Sequence, residues 1–384
     1  MERDEEEHSE PVNRGRTAAL VGVSLLVLVI VVWLQLGGGL AAVKQALSPA
    51  SRSPQPQPGT GIGAAPSSSP RLRGVSPAPR IGAAIAPQIV GSLPGAILFG
   101  GRTDFRGEKC TPDMWRWADT RGWSRVVGLP DLPCLDPHLA FNRAAAPGPG
   151  TPQDATQLVL VASRCGGCPL ETWTSTADGN SWTRYDGTAP PARREYTVAA
   201  DLLNSNVVLF GGRSGSNGPA LADTWTWDGQ QWTERRPTHS PPPRQRAGSA
   251  STYSTTTGVV LFGGLHDQTE LDDTWEWTGQ DWIQRHPRHS PSAREWPSMA
   301  FGLSVGGTVL FGGFSSGTYL EDSWSWDGAD WTQLTLNHHP SPRGSAALGA
   351  DSQGDLLLFG GDVTAFPAKD TWTFDGRDWI WQLP

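Results

Sequence analysis

The chain has 384 residues, a length that fits two or three average domains or one large repeat domain. Its formal net charge of −8 argues against a nucleic-acid groove, which normally needs a basic face. With 46 Gly and 33 Pro, and with 19 Trp against 4 Tyr, the composition favours many short strands joined by turns over long helices.

Three N-terminal segments precede the part of the sequence that can bury a core. Residues 1–16 are charged and polar and are predicted to be a disordered tail. Residues 17–36, with the run AALVGVSLLVLVIVVWLQL, are apolar on every face of a helix and long enough to cross a bilayer. Residues 37–79 are rich in Pro, Ser and Gly and are predicted to be an extended linker. The folded domain is therefore expected to be residues 80–384.

The apolar segment is predicted to be an uncleaved signal anchor. A cleaved signal peptide is the alternative, because the small residues Gly39, Ala41 and Ala42 follow the run, but the run is longer than the usual signal core of about 7–15 residues. Arg14 and Arg16 closely flank its start, so the positive-inside rule places the N-terminus in the cytoplasm. We expect a single-pass cell-membrane protein whose folded domain is extracytoplasmic.

An internal repeat organises residues 80–384. A double-glycine motif appears as ILFGG, VVLFGG, VVLFGG, TVLFGG and LLLFGG, and a degenerate copy, LVLVASRCGG, fills the one gap of double length. A second motif follows each of them, in forms such as DTWTWDGQQW from Asp223 and the degenerate ETWTSTADGNSW from Glu171. The sequence therefore contains six modules of roughly fifty residues each.

Each module is predicted to form four strands. In the fourth module these are a first strand of small residues over 244–253, an apolar second strand over 258–262, a third over 274–277 and a fourth that carries a single Trp. The aromatic residues of the third strand have period two and so share one face. A tight turn such as Asp228-Gly229 is a strong hairpin signal between the third and fourth strands. Four-stranded antiparallel units of this kind are the blades of a propeller.

The combined pattern VVLFGG, then LxDTWxWDG, then Trp, closely resembles the kelch repeat over about four-fifths of the chain. The resemblance implies an all-β, six-bladed kelch-type β-propeller. It implies no single activity, because kelch domains serve as protein-binding modules, carbohydrate-active enzymes or actin-associated scaffolds.

Repeated residues are predicted to be structural. An Arg opens the first strand and an Asp opens the third on the same face, which predicts a ring of blade-locking ion pairs; a channel-mouth site for an acidic ligand is the alternative. The residues are Arg193, Arg244, Arg294 and Arg343 with Asp223, Asp273, Asp322 and Asp370. The repeated Trp residues are predicted to pack one blade against the next. Trp296 and Trp381 break the pattern and are candidates for surface roles.

The cysteines are predicted to form disulfides; a zinc site of four thiolates is the alternative, but only Cys165 and Cys168 form a close pair. Cys110, Cys134, Cys165 and Cys168 are an even number outside the cytoplasm, which predicts two disulfides and leaves three connectivities open. His239, His289 and His338 recur in successive linkers, so blade repetition explains them without a shared ligand. We expect no metal and no cofactor.

The face that carries the loops after the double glycine is predicted to bind the partner. These loops differ in length and chemistry from module to module, and function concentrates on variable loops held by a rigid scaffold. Exposed aromatic residues are common anchors at interfaces. The predicted contact residues are Phe105, Phe314, Tyr319, Phe366 and His266.

The predicted function is an extracytoplasmic, membrane-anchored binding module for a protein or a wall or matrix polymer, with no residue assigned a catalytic role. The alternative is a carbohydrate-active enzyme at the pore, similar to a sugar epimerase or mutarotase. A centre like that of galactose oxidase cannot be assembled from Tyr185, Tyr196, Tyr253 and Tyr319 and the four cysteines. A deep axial pocket with clustered carboxylates of perturbed pKa would favour the enzyme, and a loop-built face would favour binding.

Overall fold

A computed structural model describes residues 76–382, apart from 89–94, 105–108, 120, 144–155, 177–178, 216, 253–255 and 365. The strands form six four-stranded antiparallel sheets and two short two-stranded ladders. Nowhere in these described ranges is there a helix long and apolar enough to cross a membrane. The predicted tail and transmembrane helix, and the linker up to residue 75, lie outside the described residues.

Each sheet is a blade built from one contiguous stretch of chain. Blade 1 consists of Ala84–Gln88, Gly95–Phe99, Met114–Ala118 and Gly122–Arg125. Blade 2 consists of Leu135–Arg143, Thr156–Ser163, Glu171–Thr176 and Trp182–Tyr185. Blade 3 consists of Thr197–Asp201, Asn206–Phe210, Thr224–Trp227 and Trp232–Arg235. Blade 4 consists of Gly248–Ser251, Val259–Phe262, Thr274–Trp277 and Trp282–Arg285. Blade 5 consists of Ser298–Gly302, Gly307–Ser315, Thr318–Trp326 and Trp331–Gln333. Blade 6 consists of Ala347–Ala350, Leu356–Phe359, Thr371–Phe374 and Trp379–Gln382. The ladders pair Arg193–Arg194 with Arg213–Ser214, and Leu265–His266 with Thr269–Glu270.

The six blades close into a ring around a central channel. The first strands of consecutive blades are neighbours, and the first strand of blade 6 contacts that of blade 1. The closure is hydrogen-bonded, because the backbone N–H of Gly361 donates to the carbonyl of Arg80 at 2.9 Å and that of Gly82 donates to Ser345 at 2.9 Å. The predicted all-β propeller of six blades, with no blade shared between the two ends of the chain, is confirmed.

Tryptophans of the outer strands join neighbouring blades. In blade 4, Trp282 is buried and its indole N–H donates to the Thr224 hydroxyl, at the start of the third strand of blade 3, at 2.9 Å. The same bond recurs from Trp123 to Thr371, Trp232 to Thr172, Trp331 to Thr274 and Trp379 to Ser323. Blade 2 is different, since Trp182 donates to the carbonyl of Gly179 within its own blade. Full burial of such a side chain contributes about 1.5–3 kcal/mol.

The three repeated histidines also join blades. The Nδ1–H of His289 donates at 2.8 Å to Oδ2 of Asp330, in the outer-strand turn of the next blade, and its backbone N–H donates to Oδ1 at 2.9 Å. His239 with Asp281 and His338 with Asp378 repeat this geometry. The repetition along the linkers therefore reflects a repeated contact between blades.

One predicted element is shorter than expected. The first strand of blade 4 was predicted over 244–253 and spans Gly248–Ser251. Arg246 has φ +61°, in the left-handed region, so the backbone is not extended there. This interruption recurs in every blade and creates the site described next.

Candidate binding site at the channel mouth

Five blades contain a buried Arg–Asp pair before the first strand. The nitrogen–oxygen distances are 2.6–2.7 Å and the Arg side chains are at most 1% exposed. The pairs are Arg80–Asp113, Arg193–Asp223, Arg244–Asp273, Arg294–Asp322 and Arg343–Asp370. In each, the guanidinium also donates to the carbonyl of the first Gly of the double glycine. The guanidinium groups are thus bonded inside the blades and are not presented to an acidic ligand.

Four of these arginines, Arg80, Arg244, Arg294 and Arg343, also contact the preceding blade through their backbone. The carbonyl of Arg244 accepts the N–H of Gly212 at 2.8 Å, and its own N–H donates to the carbonyl of Leu221 at 3.0 Å. The side chain meanwhile bonds to Asp273 in blade 4. A single residue therefore ties two blades together and joins the end of the second strand of its own blade to the start of the third.

Blade 2 replaces this arginine with Cys134. The N–H of Gly101 donates to the carbonyl of Cys134 at 3.4 Å, the same bond that the arginine carbonyls accept elsewhere. Cys134 forms a disulfide with Cys110 of blade 1, with a Cα–Cα distance of 5.6 Å, and Cys165 pairs with Cys168 at 5.0 Å. These two pairs supply the connectivity that the sequence left open. The disulfide stands at the junction where the buried Arg–Asp pair of the other blades is replaced by a more exposed cluster of Arg164, Asp131 and Glu171.

Acid is expected to weaken the propeller through the ion pairs. Burial raises the pKa of Asp223, Asp273, Asp322 and Asp370, but hydrogen bonds and charge from the paired Arg outweigh burial and hold each pKa below its usual value. A carboxyl whose folded-state pKa is depressed stabilises the fold above its unfolded pKa, about 3.9, and that contribution is lost as the pH falls through the folded-state pKa. We expect the urea midpoint to fall steeply below about pH 4. The slope should be shallower in Asp322→Asn, and a midpoint independent of pH in this range would contradict the prediction.

A ring of left-handed residues surrounds one mouth of the channel. In every blade, the residue two positions after the arginine or Cys134 has φ between +47° and +61°. These residues, here called the mouth ring, are Gly82, Asp136, Glu195, Arg246, Trp296 and Ser345. Only one is Gly, although a non-Gly residue in this region costs about 1–3 kcal/mol and such residues cluster at binding sites.

Backbone hydrogen bonds join mouth-ring residues of neighbouring blades. The N–H of Arg246 donates to the carbonyl of Glu195 at 2.8 Å, Trp296 donates to Arg246 at 2.8 Å, and Ser345 donates to Trp296 at 3.1 Å. The bond from Gly82 to Ser345 continues the series into blade 1. A left-handed backbone common to the six blades therefore presents different side chains at the channel entrance. The sequence contains a signal for this ring. Two positions after the repeated Arg, the residue type differs from one repeat to the next.

The channel behind the mouth ring has a volume of about 640 Å³. Its wall is made mainly of small residues of the first strands, and Leu202 and Leu303 lie at its far end. His138 lies in the wall beside the Tyr196 ring, with 4.8 Å between the ring centroids. Burial lowers the pKa of His138 to about 4 and outweighs the nearby Asp136, so this imidazole is neutral at pH 7.

Blade 5 contributes an aromatic cluster to the mouth. The Phe314 ring lies 6.3 Å from that of Trp296 and 5.1 Å from that of Tyr319, between centroids. We call Trp296, Phe314 and Tyr319 the aromatic sector. The Arg246 guanidinium covers the Trp296 ring at 4.2 Å, and it donates to Glu195 at 2.9 Å and to Glu295 at 2.7 Å.

The structure brings together only some of the predicted contact residues. Phe314 and Tyr319 meet in the aromatic sector with Trp296. Phe366 is 67% exposed, and His266 is half-buried with Nε2 3.5 Å from Asp267. Among the described residues no ring contact joins either of them to the aromatic sector. Phe105 lies outside the described residues.

The carboxylates of the mouth ring are occupied by protein cations. Asp136 lies 3.2 Å from Arg194, and Glu195 lies 3.2 Å from Arg213 and 2.9 Å from Arg246. An aromatic surface and neutralised charges can hold a ligand by stacking and hydrogen bonds.

Neither any protein-family model nor any curated protein matches this sequence.

Proposed function

We propose that the chain is a kelch-type propeller that works as an extracytoplasmic, membrane-anchored binding module, with the mouth ring as its contact surface. The repeated VVLFGG and DTWxWDG motifs support the kelch assignment. The apolar run of residues 18–36, with Arg14 and Arg16 before it, supports the anchor and its orientation.

The observation that carries the proposal is the contrast between backbone and side chains in the mouth ring. The backbone is left-handed in all six blades, and five of the six residues are not Gly. Packing alone gives no reason to place Arg246 and Trp296 at positions that favour Gly, which blade 1 uses. A rigid ring of unlike side chains is the arrangement that selective binding needs.

Binding accounts for the site better than catalysis does. The axial pocket that would favour an enzyme is present, and its lining includes Asp351, whose pKa burial raises to about 6. Asp351 is bonded to the backbone N–H groups of Gln353 and Asp355, however. The mouth-ring carboxylates Asp136 and Glu195 are both paired with arginines. His138 is neutral and lies against Tyr196. A general acid or base needs a proton-exchanging group free to reach the substrate.

Site-specific crosslinking of the full-length protein in its membrane tests the proposal. A photoreactive phenylalanine analogue at position 314 should yield a partner adduct, and the same group at exposed position 380, on the outer strand of blade 6, should not. Trp296→Gly should reduce the adduct at least tenfold with little change in unfolding temperature, because Gly suits the left-handed backbone. Equal adducts from both positions, or an adduct unaffected by Trp296→Gly, would place the binding surface elsewhere.

A further inference from the structure

We propose that the aromatic sector binds a cationic side chain, the guanidinium or ammonium group of a basic peptide segment in the partner; this rests on the proposed binding function. The charges around the sector carry the inference. Glu270, Glu295 and Asp362 surround it, and the one cation stacked within it is Arg246. Aromatic faces flanked by carboxylates attract organic cations.

Glu295 and Glu270 form the side of the sector next to blade 4. Glu295 is 8% exposed and accepts from Arg246 at 2.7 Å. Glu270 accepts the Ser315 hydroxyl at 2.7 Å and the Ser316 N–H at 2.9 Å. Burial raises the pKa of Glu295, Arg246 opposes this, and the neighbouring Glu270 and Glu195 raise it further. Two guanidinium groups, Arg246 and Arg213, therefore face the three carboxylates Glu195, Glu270 and Glu295.

Asp362 forms the opposite side, in the loop after the double glycine of blade 6. Its Oδ1 is buried and has no hydrogen-bond partner among the described residues. The Tyr319 hydroxyl interacts with this carboxylate, and burial first, then Asp362, raises the pKa of Tyr319. Arg102 lies near enough for its charge to lower the pKa of Asp362, but burial outweighs it and Oδ1 still has no donor in the described part of the chain. A buried carboxylate oxygen without a donor costs free energy, and a cationic ligand that donates to Oδ1 would remove that cost.

The molecule already contains the arrangement that we infer for the ligand. Arg246 stacks on one aromatic residue of the sector and is bracketed by Glu195 and Glu295. Arg is suited to this because its planar guanidinium stacks on rings while its edge bonds to carboxylates. Phe314 and Tyr319 remain half-exposed, with Asp362 beside Tyr319, so a ligand cation would find the same pair of partners there. An anionic ligand would meet the surplus of carboxylates instead.

Isothermal titration of the full-length protein in detergent tests the inference. The probes are a synthetic peptide of alternating Arg and Gly and a matched peptide with citrulline, which has the same shape without the charge. At about 0.15 M salt, which screens long-range attraction, we expect the Arg peptide to bind at least tenfold more tightly than the citrulline peptide. Asp362→Asn and Phe314→Ala should each weaken Arg-peptide binding about tenfold.

The matched control is Asp267→Asn, which removes one exposed carboxylate from a neighbouring loop on blade 4. It should change the affinity less than twofold. Equal binding of the two peptides, or equal losses from Asp267→Asn and Asp362→Asn, would overturn the inference. If partner adducts from position 314 persist in that case, the mouth binds a different chemical class; if the adducts are also missing, the proposed function itself fails.

Discussion

Arg294→Ala is expected to lower the free energy of unfolding by about 3 kcal/mol, near the lower end of the range for breaking a buried ion pair. The substitution leaves the Asp322 carboxylate without its bidentate partner, and the Gly312 carbonyl without its side-chain donor. The lower end applies because the Asp322 side chain keeps 22% exposure, so water partly solvates the unpaired charge.

Urea denaturation at pH 7 measures this effect. Arg288→Ala, at an exposed position in the same linker, is the matched control and should change stability by less than about 0.5 kcal/mol. The double variant Arg294→Met, Asp322→Leu should lose less than Arg294→Ala, because it leaves no unpaired charge. If Arg294→Ala resembled the control, the pair would have no role in locking the blades.

The blade architecture could be predicted because its determinants are local and repeated. The second strands carry apolar runs such as Val259–Phe262, which is fully buried. The third strands place Trp275 and Trp277 on one face, and both pack in one core cluster with Trp282. A period of about fifty residues then sets the number of blades, since each repeat buries its surface only against its neighbours.

The binding site could be predicted only in part, because its members come from different blades and share a backbone state rather than a residue type. Arg246 and Trp296 have positive φ, whereas the usual sequence signal for that state is Gly or Asn. Phe314 and Tyr319 were accessible to prediction as aromatic residues in a variable loop. Their contact with Trp296, and the placement of Glu295 and Asp362 around them, depend on how the ring closes.

Blade 2 shows a second limit of prediction from the sequence. Its sequence lacks FGG and the Arg, and neither Cys110 nor Cys134 indicates by spacing which cysteine is its partner. Only the folded chain places Cys134 at the position of the arginines, where its carbonyl accepts the N–H of Gly101. The blade that departs most from the repeat is thus joined to blade 1 covalently.

The two disulfides are expected to differ in their effect on stability. Removing Cys110–Cys134 by a double substitution to Ser should cost roughly 3 kcal/mol, because the bond closes a loop with a sequence separation of 24. Removing Cys165–Cys168, with a separation of 3, should cost about half as much on the same entropic argument.

Urea titrations of the two double variants against the parent, all under oxidising conditions, measure the difference. The larger loss at Cys110–Cys134 has a second cause beyond chain entropy. Cys134 packs with Phe99 and Leu160 in the core cluster shared by blades 1 and 2. When the bond is absent, this junction keeps only the more exposed Arg164–Asp131 pair, because it lacks the buried Arg–Asp pair of the other blades. Equal losses from the two variants would mean that the packing of Leu132 and its neighbours holds the junction without the covalent bond.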